Sequence, residues 1–153
     1  MNEPSVTLRR LLLWLLLFGL AGVTTELILL GHYDGTRMLV PFLAIAVAAV
    51  GATTRLARPS PRSVRWLRAS MVPMMAAGAT GAYLHYLGGV EFQADMDPTL
   101  SRWQLFWKVL HMQAPPMLAP GVLVQFGLLG LVSTYRNPLT AVSHPASTRG
   151  VRP

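Results

Sequence analysis

The sequence contains no cysteine and few charged residues. Its 153 residues include thirteen basic and six acidic side chains, so 12% are charged while 52% are hydrophobic. A soluble domain carries about 25% charged residues, and the deficit indicates that lipid is the main solvent of this chain. The absence of cysteine excludes disulfides, thiolate metal ligands and thiol nucleophiles. The sequence also lacks a Gly-x-Ser-x-Gly elbow and a phosphate-binding Gly-rich loop, which excludes a hydrolase of that type and a nucleotide site.

Four apolar stretches are long enough to cross a bilayer. A helix that spans the hydrocarbon needs about 20 mainly apolar residues, and its backbone groups must be satisfied internally. The sequence therefore predicts an all-α, polytopic protein with one four-helix transmembrane domain at residues 1–136. The predicted spans are about 11–30, 38–57, 69–88 and 117–135. Residues 137–153 show no apolar period and contain three prolines, so we expect a disordered cytoplasmic tail.

The arginines predict the orientation. Ten basic residues flank the spans on one side: Arg9, Arg10, Arg55, Arg58, Arg62, Arg65, Arg68, Arg136, Arg149 and Arg152. The other side has three: Arg37, Arg102 and Lys108. The positive-inside rule then places both termini and the link "RLARPSPRSVRWLR" on the cytoplasmic side of a bacterial inner membrane. We interpret this link as a topology anchor that contacts anionic lipid headgroups, not as a nucleic-acid site.

The first apolar stretch also has features of a secretory signal. "LRRLLLWLLLFGLAG" has the basic start and the apolar run of such a signal. The apolar run continues through "ELILL", however, and no Ala-x-Ala cleavage site follows. We therefore expect an uncleaved first span.

Small residues recur every four positions on two of the spans. Ala44, Ala48 and Ala52 do so on the second span, and Ala77 and Gly81 on the third. Such ridges let helix backbones approach closely in lipid. The pattern predicts that the second and third spans pack together, although the same ridge could equally form a dimer.

The second outer link, residues 89–116, is long enough to contain a helix. Leu100, Trp103, Phe106, Trp107 and Leu110 follow helical spacing. This pattern predicts a short amphipathic helix at about 98–112 that lies in the outer membrane interface. Asp97 followed by Pro98 is typical of an N-cap and first-turn pair, and we expect this pair to start the helix.

Polar side chains gather near the predicted outer ends of the spans. Glu26 lies about one turn from the outer end of the first span, His85 lies at a similar depth on the third, and His32 follows the first. Glu91 and Asp95 project together in a helix or in an extended strand. A carboxyl group within a span costs up to about 2.5–3.5 kcal/mol, so it usually has a partner. Two interpretations stay open: a hydrogen-bonded structural cluster with threonines and tyrosines, and a metal site.

The metal interpretation assigns one divalent cation to five ligands: Glu26, His32, His85, Glu91 and Asp95. Carboxylates with imidazoles suit Zn, Fe or Mn. Copper is less favoured and would use the methionines near His111, namely Met96, Met112 and Met117. Bis-histidine haem ligation by His32 and His85 ranks below a metal. None of these sets has the short fixed spacing of a motif such as His-Glu-x-x-His.

Three segments together carry a resemblance: "TTELILLGHYDG", "YLHYLGGVEFQADMDP" and "APGVLVQFGLLGLVSTYRNP". They resemble a group of uncharacterised small four-span bacterial membrane proteins, over most of residues 20–138. The resemblance implies the four-helix architecture and the outer location of the polar residues. It implies no activity.

Two functions follow from these observations. The first is a non-catalytic accessory or structural membrane subunit, whose outer polar cluster fixes the fold or docks a partner. The second is a divalent-metal-binding protein that uses this cluster, with or without catalysis. The first is favoured because the chain is small and lacks a strong catalytic motif, so we do not expect an enzyme. The expected partners are the lipid bilayer and other membrane proteins or further copies of the chain, and not nucleic acid.

Overall fold

The chain is helical in the computed structural model, which describes residues 3–112, 118–137 and 139. Within these ranges there are five α-helices and no strand, which confirms the prediction of an all-α fold. The helices are α1 (Glu3–Leu29), α2 (Val40–Ala57), α3 (Pro61–Met96), α4 (Arg102–Leu110) and α5 (Gly121–Ser133), and a 3-10 turn, Thr36–Leu39, leads into α2. Most of the predicted tail, 137–153, lies outside the described residues.

Two helical segments are long and apolar enough to cross a membrane, by length and composition, in the part of the chain that the structure describes. They are Ser5–Leu29 and Thr36–Ala57. Only 17% and 28% of their most apolar windows are buried, whereas the core helix of a soluble protein is mostly buried. Large apolar side chains are exposed on both, such as Phe18, 78% exposed, on the first and Leu43, 66% exposed, on the second. The exterior of this helix pair is therefore apolar.

The third and fourth predicted spans differ from the helices found there. The third, 69–88, lies inside α3, a helix of 36 residues. Its glycines, tyrosines and Pro73 dilute the aliphatic side chains, and α3 does not meet the composition expected of a span. The fourth, 117–135, contains the 13 residues of α5, about 20 Å of helix against about 30 Å of hydrocarbon. Helix is thus confirmed at all four positions, and a membrane-spanning composition at two.

The helices form a bundle in which α3 has the most partners. It packs against α2, α4 and α5, while α1 packs against α2 and α5. Around the bundle, α1 and α3 therefore lie diagonally opposite each other. The centre is filled by fully buried apolar side chains, among them Leu16, Leu20, Leu67, Met71 and Met74. These groups supply dispersion contacts and no chemistry.

Small residues allow the helices to approach closely, but not entirely as predicted. Contact between α2 and α3 is confirmed, and the three alanines of the α2 ridge are buried. The small residues of α3 pack against a different part of the bundle, the start of α5. A Cβ added at Gly78 would lie 2.9 Å from the carbonyl oxygen of Pro120, and one at Gly81 would lie 2.9 Å from the Cβ of Pro120. That part of α3 therefore contacts the start of α5.

The start of α4 corrects the sequence-based assignment of its cap. Ser101 is the N-cap, and its hydroxyl accepts from the backbone N–H of Gln104 while the Gln104 side chain accepts from the N–H of Ser101. This reciprocal pair is a capping box. Asp97 instead ends α3, and its carboxylate accepts from the N–H and hydroxyl of Thr99 at 3.2 and 2.7 Å. The prediction that Asp97 and Pro98 begin α4 is wrong, because the turn made with Thr99 delays the helix by four residues.

Candidate functional site

Glu26 lies on the last part of α1, where its side chain is exposed. The neighbouring hydroxyls do not serve it as donors. Thr24 donates to the carbonyl oxygen of Leu20 at 2.8 Å, and Thr25 donates to that of Ala21 at 3.0 Å. Both hydroxyl protons are therefore used within the helix, and the predicted pairing of Glu26 with these threonines is not formed.

His32 is held at the end of α1 by the backbone. Its N–H donates to the carbonyl oxygen of Leu27 at 2.9 Å, and the N–H of Gly31 donates to that of Ile28 at 3.0 Å. These two bonds, with Gly31 at a φ of +65°, make the Schellman arrangement that ends many helices. The glycine is required because a side chain is strained at positive φ. His32 is thus positioned by helix termination and is half-buried.

His85 is half-buried on α3, and its Nδ1 is buried with no hydrogen-bond partner among the described residues. A buried polar atom without a partner is uncommon, because it loses its bonds to water and gains none. The tyrosines beside it in sequence do not bond to this nitrogen. Tyr83 is exposed, and the ring of Tyr86 contacts that of Phe106, with centroids 6.2 Å apart. Among the described residues, only the Nη1 of Arg9 shares this condition.

Glu91 and Asp95 are both exposed on α3. Of the two backbone conformations considered from the sequence, the helix is the one found. A straight helix places Glu91 about 9 Å along the axis from His85 and about 120° around it. The side chains of His85 and Glu91 therefore leave α3 in different directions, and both would have to turn toward a common point to bind one ion.

The predicted metal ligands do not form a site in this structure. Within the described ranges, no group of three or more His, Asp or Glu side chains could hold a metal ion. Two atoms of the copper alternative already have hydrogen-bond partners: the Sδ of Met112 lies 3.4 Å from the side-chain nitrogen of Gln93, and the Nδ1 of His111 lies 2.8 Å from the carbonyl oxygen of Trp107. Met117 lies outside the described residues. A bound metal stays a prediction that would require the five candidate side chains to rearrange.

An aromatic cluster on α4 is the best-formed feature at this end. Trp103, Phe106 and Trp107 have ring centroids 5.5–5.7 Å apart. The cluster contacts α3 through the Tyr86 ring, and α4 also approaches α3 closely at Gly89, where an added Cβ would lie 2.8 Å from Val109. Edge-to-face and stacked rings gain about 0.5–1.5 kcal/mol beyond their buried area. This cluster fixes α4 against α3.

The opposite end of the bundle contains features that the sequence analysis missed. Arg68, counted there only as a topology signal, donates two hydrogen bonds to Thr134 at the end of α5. Arg9 and Arg10 line a single cavity together with Arg55, which is far from them in sequence. The Ser-x-x-Gln signature of the α4 cap could have been found from the sequence, whereas the two arginine arrangements depend on tertiary packing.

No family model, curated protein or solved structure matches this chain. The fold itself shows the class of the protein. It is an all-helical bundle, over the residues described, in which two helices could cross a membrane.

Proposed function

We propose that this chain is a four-span integral protein of a bacterial inner membrane, with both termini in the cytoplasm, and that it acts as a non-catalytic accessory or structural subunit. Support for lipid contact comes from the exposed apolar surface of α1 and α2. Support for α3 as a span comes from its length, because 36 residues make about 54 Å of helix. α5 packs along α3, and its flanking turns complete the fourth crossing.

One observation carries the structural role. Three buried hydroxyl groups, on α3 and at the end of α5, donate to backbone carbonyl groups three residues earlier in the chain. Ser70 donates to Leu67, Ser133 donates to Gly130, and Thr134 donates to Leu131, each to a carbonyl oxygen at 2.6–2.8 Å. We therefore assign these three hydroxyl groups to support of the helix backbone and not to a catalytic site, whose polar groups would converge on a shared point.

Site-specific photo-crosslinking in native membranes tests the proposal. A photoreactive residue at Trp103 on α4 or at Phe92 on α3, both exposed, should give one discrete adduct with another membrane protein. The matched control is Phe18, an exposed position on α1, which should give mainly lipid adducts. Lipid adducts alone at all three positions would contradict an accessory role.

The alternative function is a divalent-metal-binding protein, and the unpartnered Nδ1 of His85 is the observation that favours it. An imidazole nitrogen without a hydrogen bond can accept a metal ion. The ligands proposed are Glu26, His32, His85, Glu91 and Asp95, with Zn, Fe or Mn bound. The protein should be purified without a histidine tag or chelators, and its metals measured by mass spectrometry. About one equivalent, lost on His85→Ala, would support the alternative, and less than about a tenth of an equivalent after metal is added back would reject it.

A further inference from the structure

A cavity of about 190 Å³ lies at the arginine-rich end of the bundle. It is formed by the first turns of α1, the last turns of α2 and the segment that follows α5. The described lining residues are Ser5, Val6, Arg9, Arg10, Leu13, Arg55, Leu56, Pro59, Asn137 and Leu139. Three cationic side chains from two helices thus share one cavity.

The positive charge in this cavity is not balanced by those of its lining residues that the structure describes. Among the described lining residues there is no Asp or Glu. Arg9 uses Nη2 to approach the carbonyl oxygen of Arg136 at 3.4 Å, while its Nη1 is buried and has no described partner. A buried guanidinium nitrogen without an acceptor is costly, and neighbouring like charges add repulsion. A bound anion would relieve both costs.

The residue types indicate which anion. A guanidinium group matches the geometry of a phosphate through two parallel N–H donors, and such charge-assisted bonds are about twice as strong as neutral ones. The rest of the lining is mainly aliphatic, with Val6, Leu13, Leu56 and Leu139 beside the arginines. A free phosphate ion would leave these side chains without a partner, whereas the glycerol and the upper acyl carbons of a phospholipid would cover them.

We propose that this cavity binds a phosphate group through Arg9, Arg10 and Arg55, and that the group belongs to the headgroup of an anionic phospholipid. The site differs from a general topology signal, for which arginines need only lie on the correct side of the membrane. Arg58 provides the comparison within the chain. It is exposed at the same end, one residue after α2, and is not among the residues that line the cavity.

The test is a binding titration by native mass spectrometry on the purified full chain in a neutral detergent. The probes are phosphatidylglycerol and diacylglycerol, which share acyl chains and differ in the phosphate headgroup. Arg10→Gln and Arg55→Gln should each raise the Kd for phosphatidylglycerol by about tenfold or more, the loss expected for a hydrogen bond to a charged group. Arg58→Gln, which removes the same charge from the same end, should change the Kd by less than about twofold. Diacylglycerol should bind weakly to all forms.

The same set of variants includes a control for loss of folding. Arg10 is exposed, so Arg10→Gln should keep the helical circular dichroism of the parent. Arg9→Lys is a second variant, which keeps the positive charge but removes the paired N–H donors of the guanidinium group. The second arm measures the thermal shift caused by inorganic phosphate without added lipid. In one outcome, inorganic phosphate raises the melting temperature of the parent and of Arg58→Gln but not that of Arg55→Gln, while phosphatidylglycerol is not bound selectively. This result would support the phosphate site and assign it to the free ion. Equal losses in Arg55→Gln and Arg58→Gln, or no binding of either phosphate probe, would overturn the proposal.

Discussion

Arg68 on α3 and Thr134 at the end of α5 are joined by two hydrogen bonds. The Nη2 of Arg68 donates to the Thr134 carbonyl oxygen at 2.7 Å, and its Nε donates to the Thr134 hydroxyl at 3.0 Å. The last carbonyl groups of a helix have no partner within it, and a cation there also interacts favourably with the helix dipole. A side chain of one helix therefore terminates another that is distant in sequence.

Removal of this contact should destabilise the bundle. Arg68→Gln should lower the free energy of unfolding by about 1.5–3 kcal/mol, because hydrogen bonds to a charged donor are lost from a half-buried site. The matched control is Arg65→Gln, on the same helix, where the side chain is exposed. Both variants should be unfolded in mixed micelles of increasing denaturing detergent. Equal stability of the two variants would show that the contact with Thr134 contributes nothing.

The glycines of α5 should be intolerant of a methyl group. A Cβ added at Gly130 would overlap Met71, and one at Gly127 would overlap Met75. Gly130→Ala should therefore cost about 1–3 kcal/mol through overpacking. Gly22→Ala on α1 is the control, since nothing lies within 4 Å of an added Cβ there, and it should be neutral or stabilise the helix by about 0.5–1 kcal/mol. Thermal unfolding of both variants in detergent gives the comparison, and a stable Gly130→Ala would argue against this helix contact.

The cap of α4 should depend on Ser101. Ser101→Ala should destabilise the helix by about 0.5–2 kcal/mol, because the N–H of Gln104 loses its acceptor. Amide hydrogen exchange in the first turn of α4 is the measurement, and it should become faster. Asp97→Ala should leave exchange in that turn near the parent value, because Asp97 lies outside α4. The reverse pattern would restore the cap first expected from the sequence.

Asp97 should give a local response to acid. The hydroxyl and then the N–H of Thr99 lower the pKa of the Asp97 carboxyl below its ordinary value of 3.8. Since the folded pKa is the lower one, the stabilising turn is present above pH 3.8 and is lost as the pH falls through the lowered pKa. The amide chemical shift of Thr99, followed by NMR, should titrate below pH 3.8. Thr99→Val should move the midpoint upward, and an unchanged midpoint would show that the hydroxyl bond does not form in solution.

Membrane orientation can be measured because the chain has no cysteine. Pro59 and Pro98 are both exposed, one before α3 and one after it. In intact cells with a permeable outer membrane, Pro98→Cys should react with an impermeant thiol reagent and Pro59→Cys should be protected. The positive-inside rule is the reason. The opposite labelling pattern would invert the proposed topology, and equal labelling would show that α3 does not cross the membrane.

The sequence predicted where the helices lie more accurately than it predicted where they begin and end or which helices they contact. Apolar composition found every long helix, because burial in lipid or in a core requires it. It could not show that α3 continues from Pro61 to Met96, since the helix leaves the apolar stretch at both ends. The metal hypothesis rested on residue counts along separate helices, which placed the candidate ligands at similar depths. A common depth determines neither the angle of a side chain around its helix nor the distance between two helices. The sharing of one cavity by Arg9 and Arg55 is likewise a property of packing.

The unbroken length of α3 makes it a lever. Pro73 lies within this helix and has no N–H to donate to the carbonyl oxygen of Ala69, which leaves a point of lower bending stiffness. From Pro73 to Met96 the helix extends about 35 Å, and from Pro73 back to Pro61 about 18 Å. A bend of about 10° at Pro73 would therefore displace the Met96 end of the helix by about 6 Å. Because α4 is attached near that end, a small change in curvature at mid-bundle would be amplified into a large displacement of the aromatic cluster.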